Sequence, residues 1–143
     1  MTSGREVRGR TLAPGRARGE LLVLDEPLSF WGGMDPANGE VVDRHHPQAG
    51  ESLAGRVVVM RSGRGSSSSS SVLAEAIRAG TAPAAVVMAE PDVIVALGSI
   101  VAAELYGTEV PVVCVGAPEF DALPRRGSVE IFAAAEGAAI RPA

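Results

Sequence analysis

The stretch from Arg56 to Gly80 constrains this chain more than any other. Val57-Val58-Val59-Met60 is a short β-branched apolar run, the pattern of a buried strand. Arg61-Ser62-Gly63-Arg64-Gly65 follows it, and then come six consecutive serines, Ser66 to Ser71. From Val72 to Ala79 the apolar residues 72, 73, 76 and 77 form one helical face, with Glu75 and Arg78 between them and Gly80 placed to stop the helix. A strand and a helix this close leave too few residues for a free tether. A Gly/Ser loop entering a helix start offers unpaired N–H groups and the positive end of a dipole, so it attracts anions. Its hydroxyls add candidates for carrying a proton.

Two anion-loop patterns are excluded or weak. The P-loop needs a lysine after its last glycine, and all thirteen basic residues here are arginine. The same absence removes Schiff-base lysine chemistry. The dinucleotide fingerprint asks for a glycine at position 68, where Ser68 stands.

At 143 residues the chain is long enough for one domain with a real core. Hydrophobic residues make up 46% but aromatics only 3%, so Val, Ala, Leu and Ile must build that core. This suits a sheet covered by Ala-rich helices. A net charge of −4 argues against broad nucleic-acid or membrane-surface binding. Cys114, the only cysteine, sits in the apolar run from Val110 to Val115 and reads as a small core residue. With no disulfide possible within the chain, no apolar signal segment after Arg5, Arg8 and Arg10, and no bilayer-length apolar run, a soluble cytoplasmic protein is expected.

In chain order, residues 6–12 and 20–24 read as strands joined by the turn-prone Ala13-Pro14-Gly15-Arg16. The segment 26–39 has no period. It holds the only Trp and ends in Asn38-Gly39, a strong turn signal. A short strand over 40–42 leads to the polar loop 43–50, which carries both histidines. Beyond the serine run, residues 84–88 read as a strand and 92–106 as an Ala- and Val-rich helix between Pro91 and Gly107. Residues 110–115 form another strand, 129–132 a final one, and the tail from Ala133 adds little. The expectation is an α/β fold: a β-rich N-terminal half against a β-α-β-α-β half with a parallel sheet and right-handed crossovers. Residues 1–143 are read as one domain, with 1–4 and 134–143 as loose termini.

The motifs also resemble a known family. Gly63-Arg64-Gly65-Ser66-Ser67 resembles the Gly-x-Gly-Ser-Ser loop of aconitase swivelling domains, where the first serine is the catalytic base. The loop from Asp43 to Gly50 resembles the Asp-His-Ile-Ser-Pro-Ala-Gly loop of those domains, with Asp and Pro in the same relative spacing. A closer likeness is to the small subunit, or swivel domain, of the aconitase X group. Leu28-Ser29-Phe30-Trp31-Gly32-Gly33-Met34-Asp35-Pro36, then Gly39, His46-Pro47, Gly50 and Gly63-Arg64-Gly65-Ser66 match its pattern in that order, over roughly residues 19–115. The resemblance implies a swivelling β/β/α domain that closes over a larger subunit carrying an iron centre, either an iron–sulfur cluster or a mononuclear iron. It implies dehydration of a small hydroxy acid such as cis-3-hydroxy-L-proline or mevalonate 5-phosphate, with the chain inactive without its large subunit. Where aconitase places a substrate-binding Arg after its two serines, this chain has Ser68, which argues against a tricarboxylate and leaves Arg64 to supply the cation.

On this reading Ser66 is the proton acceptor, its alkoxide stabilised by the helix start and by Arg64. Gly65 lets an anionic substrate group approach the backbone, and Ser67 and Ser68 donate to that group. Ser69 to Ser71 are expected to cap and solvate the helix start. Asp43 and His46 either bind substrate or orient the base, the alternative being loop packing with an Asp43 turn hydrogen bond; His45 is an equal candidate for the functional histidine. Ser29, Trp31, Gly32 and Gly33 are expected to line the cleft, in reach of the partner. No metal site is expected in this chain, because two adjacent histidines and one apolar cysteine fit no standard ligand set. Two rivals stand beside this reading: a stand-alone phosphate or carboxylate binding module, and a swivelling phosphotransfer domain with phosphohistidine on His45 or His46.

Overall fold

The structure, a computed structural model, describes residues 6–65 and 67–143. Its seven described strands are β1 (Val7–Ala13), β2 (Gly15–Val23), β3 (Val57–Val59), β4 (Ala85–Met88), β5 (Val112–Cys114), β6 (Ser128–Ala134) and β7 (Gly137–Pro142). They close into a barrel in the order β1-β5-β4-β3-β2-β6-β7. The helices are a single turn α1 (Phe30–Gly33), then α2 (Ser69–Ala79), α3 (Val93–Tyr106) and the short α4 (Ala117–Ala122).

The expected β-α-β-α-β run is present as β3-α2-β4-α3-β5, with β3 parallel to β4 and β4 parallel to β5. β2 joins the same parallel arc through β3. The N-terminal strands are not a separate half, which corrects the two-part reading. β1 and β2 are separated only by Pro14 and do not form a hairpin. β1 pairs antiparallel with β5 and β7, while β2 pairs with β3 and β6, so the two splay to opposite sides of the ring.

The tail also departs from expectation. Residues 137–142 are β7, paired to both β6 and β1, and this strand closes the barrel. Its Ala138 and Ile140 are buried with the barrel interior. An alternation as short as Ala138-Ala139-Ile140 in Ala/Gly-rich sequence carries little signal by itself; the pairing energy comes from two neighbours that the sequence does not name. The short strand expected over 40–42 is reduced to isolated bridges, Met34 with Val41 and Glu40 with Ser52.

Strand alternation sorts the core into two layers. Val57, Val59, Ala85, Val87, Val113 and Ile131 face one cluster inside the barrel. Val58, Met60, Val86, Met88 and Val112 face outward against Leu73, Ala76 and Ile77 of α2 and Val95 and Ala102 of α3. Strands buried on both faces read as continuous apolar runs, which is why the parallel arc was visible in the sequence. All four parallel strands end at one rim. The loops after β2, β3 and β4 therefore meet there, the usual place for a site in a parallel sheet.

Candidate functional site

The serine loop leaves β3 at that rim. Gly63 makes a parallel bridge with Leu28 of the loop after β2. A methyl group built on Gly63 would land on the Asp92 carboxylate. Oδ1 of that carboxylate caps α3 by accepting from the N–H groups of Ile94 and Val95 at 2.9 and 3.2 Å. Gly63 is thus glycine because the α3 cap occupies its side-chain space. Gly65 has φ +97, the left-handed region, and an added Cβ would sit 2.8 Å from Ser29 Oγ. One glycine fits the loop under α3 and the other fits it against α1.

Ser66, the expected base, lies outside the described residues. Its neighbours frame it: Arg64, Gly65, Ser67 and Ser68 are all exposed. Ser68 stands at the N-cap of α2 without a side-chain capping bond, and the N–H groups of Ser71 and Val72 donate to its carbonyl at 3.1 and 3.2 Å. Ser70 turns its hydroxyl back to the Ser67 carbonyl at 2.9 Å.

Ser69 differs from its expected role in solvating the helix start. It is 3% exposed, accepts from the Trp31 N–H at 3.2 Å and lies 3.3 Å from Ser29 Oγ. Ser29 Oγ also donates to the Trp31 carbonyl at 2.9 Å. The signal was available: Ser69 falls at i−4 and i−7 from Leu73 and Ala76, on the inward face of α2. α1 is a tight turn rather than a regular helix, with Trp31 at φ −77, ψ 117 and Gly32 at φ +80, a value that favours glycine. Phe30 and Gly33 are buried, whereas the Trp31 ring is exposed at the rim. A slot of about 10 Å³ between Phe30, Arg64, Gly65, Ser69 and Asp92 lies beside the loop, room for about one water. A larger cavity, about 310 Å³, opens by Asp25, Arg61, Phe120 and Arg125 but does not include residues 62–69. The serine loop is the candidate site: its glycines are fixed by close contacts, and Arg64, Gly65, Ser67 and Ser68 are exposed beside them.

The second polar loop is tied to the first through residues 25–34. His46 is buried; its Nδ1 accepts from the Gln48 N–H at 3.0 Å, so Nε2 carries the proton and donates to the Glu26 carbonyl at 2.9 Å. Both ring nitrogens are engaged. Asp43 Oδ1 accepts from the His45 N–H at 3.0 Å, the turn hydrogen bond that such a residue makes, and His45 itself is exposed. At the loop's edge Asp25 accepts from Gln48 Nε2 and from Arg125, each at 2.7 Å, and these two bonds hold its carboxyl below the usual range. The 25–34 loop thus holds His46 at one end and Ser69 at the other.

Cys114 is half-buried at the end of β5, its thiol 3.5 Å from the Ala89 carbonyl. Among the described residues no three His, Cys, Asp or Glu side chains come together as metal ligands, and no helix is long and apolar enough to cross a membrane.

Comparison with known proteins gives a consistent neighbourhood. The sequence profile of the aconitase X swivel domain matches residues 6–139. A cis-3-hydroxy-L-proline dehydratase of Pseudomonas aeruginosa is 54% identical over 114 residues, which are 80% of this chain and 20% of that protein. The phosphomevalonate dehydratase small subunit of Methanothermobacter thermautotrophicus is 42% identical over 97 residues, 68% of this chain and 74% of the subunit. This chain therefore spans about a fifth of the first relative and most of the second. A crystal structure of Thermococcus kodakaraensis aconitase X in its holo-form superposes with a TM-score of 0.84 at 31% identity, covering 98% of this chain and 99% of that one.

Proposed function

The chain belongs to the aconitase X swivel-domain family, and from that premise we propose that it is the swivel unit of an iron-dependent dehydratase acting on a small hydroxy acid. The class of activity follows the names of its relatives, which are dehydratases and dehydratase small subunits. Substrates of the type of cis-3-hydroxy-L-proline or mevalonate 5-phosphate are proposed on the same ground. The observation that carries the reading is the glycine pair: Gly63 seated on the α3 cap and Gly65 turned at positive φ against Ser29, so that the residues following Gly65 open α2 on an exposed rim.

In the proposed reaction Ser66 takes the carbon-bound proton of the substrate, and a carbon–carbon double bond forms as the bond to the hydroxyl on the adjacent carbon breaks. The departing hydroxide takes a proton to leave as water, while Ser66 returns its proton to solvent. An alkoxide is far too basic to persist in bulk water, so it needs fixed electropositive surroundings. The start of α2 and the exposed guanidinium of Arg64 supply these. The N–H of Gly65 and the hydroxyls of Ser67 and Ser68 serve the substrate's anionic group. Asp43 and His46 act as positioning residues, since Asp43 closes the turn at His45 and His46 braces the loop at Gln48 and ties it to the Glu26 carbonyl. Ser29, Trp31, Gly32 and Gly33 form the wall next to the serine loop.

The family's iron would act as Lewis acid for the departing hydroxyl. The described residues offer no ligand set that fits it, so we assign it to the larger partner polypeptide. Co-expression with that large subunit and an assay of water loss from both candidate substrates tests the reading. Ser66→Ala should lower kcat by about a thousandfold or more with KM little changed, the pattern of a group used in the transition state. Full activity in Ser66→Ala, or full activity of this chain alone, overturns the assignment.

A further inference from the structure

α3 is apolar on most of its circumference. Between Val93 and Tyr106 its only charged residue is Glu104. One side, with Val95, Ala96, Gly98, Ser99 and Ala102, is buried against α2 and the barrel. Gly98 lets α2 approach so closely that a Cβ there would sit 2.8 Å from the Ser70 carbonyl. The opposite side is exposed and carries large apolar residues, Val93 76%, Leu97 51%, Ile100 44%, Val101 36% and Leu105 66%, with the exposed Glu104 the one charge among them. These residues recur at i, i+4, i+7, i+8 and i+12, a continuous stripe along the helix. α2 shows what a solvated face looks like here, since its exposed side carries the Glu75–Arg78 ion pair at 2.6 Å. Five large apolar side chains on one exposed helix face, against a single charge, mark a face that is covered in the assembled protein.

We propose that the α3 stripe is the docking surface for the larger polypeptide that completes the dehydratase site. This rests on the proposed function and extends it to a specific surface. Position selects the occupant. The N-cap of α3, Asp92, lies against Gly63 of the serine loop, so Val93 begins the stripe at the rim where the partner must reach the substrate. Trp31, 58% exposed and bonded through its backbone to Ser69, lies at the same rim. Size agrees. A helix of 14 residues is about 21 Å long and about 10 Å wide, offering on the order of 200 Å². A stable interface needs about 800 Å² per partner, so the contact must continue from α3 onto the rim by Trp31. The P. aeruginosa relative, in which the matched region is only 20% of the chain, has ample polypeptide to supply such a cover. The partner face opposite α3 should be apolar apart from one cation or hydrogen-bond donor placed to meet Glu104.

The test uses the co-expressed pair of this chain and its large subunit. Leu97→Arg and Leu105→Arg, both exposed, should leave the melting temperature of the isolated chain unchanged while weakening association by about tenfold or more. Activity of these variants should return when the large subunit is raised to saturation. Glu136→Arg, in the turn between β6 and β7, should change neither association nor activity. Unchanged affinity in both stripe variants, with a wild-type complex that is active and sensitive to Ser66→Ala, overturns the docking surface and leaves the proposed function standing. No complex and no activity in the wild type overturns both. Self-association of the isolated chain that the stripe variants abolish, with partner affinity untouched, assigns the face to a second copy and overturns the proposal.

Discussion

The hydroxyl of Ser69 lies 3.3 Å from that of Ser29, forty residues earlier in the chain, and also accepts the N–H of Trp31. This small network pins α1 to the first turn of α2, directly behind Gly65. Ser69→Ala would leave the Trp31 N–H without its partner in a part-buried setting, at a cost of about 1–3 kcal/mol. The expected result is a lower melting temperature and, in the assembled enzyme, a kcat reduced by about tenfold through a displaced serine loop. Ser69→Thr, which keeps the hydroxyl, should recover part of both.

Gly63 and Asp92 form a second contact of this kind. Gly63→Ala should destabilise the chain by about 1–2 kcal/mol, because the new methyl must push the Asp92 carboxylate off the α3 N-terminus. Thermal unfolding of Gly63→Ala, Asp92→Ala and the double variant checks the cause. If displacement of the cap is the reason, the double variant loses clearly less than the sum of the two single changes.

Asp25 gives a pH signature. Hydrogen bonds from Gln48 and then Arg125 place its folded-state pKa below the ordinary 3.8. A carboxyl with a lowered folded pKa adds stability that is present above the unfolded value and is lost as pH falls through the folded one. Asp25→Asn should therefore melt below wild type near neutral pH. The gap should shrink as pH drops below about 4, which a series of melts across acid pH would reveal. A gap that stays constant with pH would assign the loss to geometry rather than charge.

β7 is expected to be indispensable to folding. Deleting residues 137–143 removes a strand paired on both sides and leaves β1 and β6 as open edges, with Val129 and Ile131 losing their cover from Ala138 and Ile140. The truncated chain should lose cooperative unfolding and aggregate, whereas an Arg141→Ala variant, exposed at the strand's end, should melt close to wild type.

What the sequence determined by itself lies wherever the deciding interactions are local or repeat at short period. Val57 to Val59, the α2 and α3 faces and the Val110–Val115 run follow from burial patterns within a few residues, and the ordered motifs at 28–36, 46–50 and 63–66 marked the family and the loop. The tertiary structure alone decided the rest. The strand made by the Ala/Gly tail, the splaying of β1 from β2, the capture of the His46 ring by the Glu26 carbonyl, and the inward turn of Ser69 toward Ser29 each depend on a partner distant in the chain. A barrel closes only when its first and last strands meet, and hydrogen bonds across twenty to a hundred residues leave no period in either segment. Local preference sets which elements form; the choice of neighbour is settled by which arrangement leaves the fewest buried polar groups and apolar faces without cover.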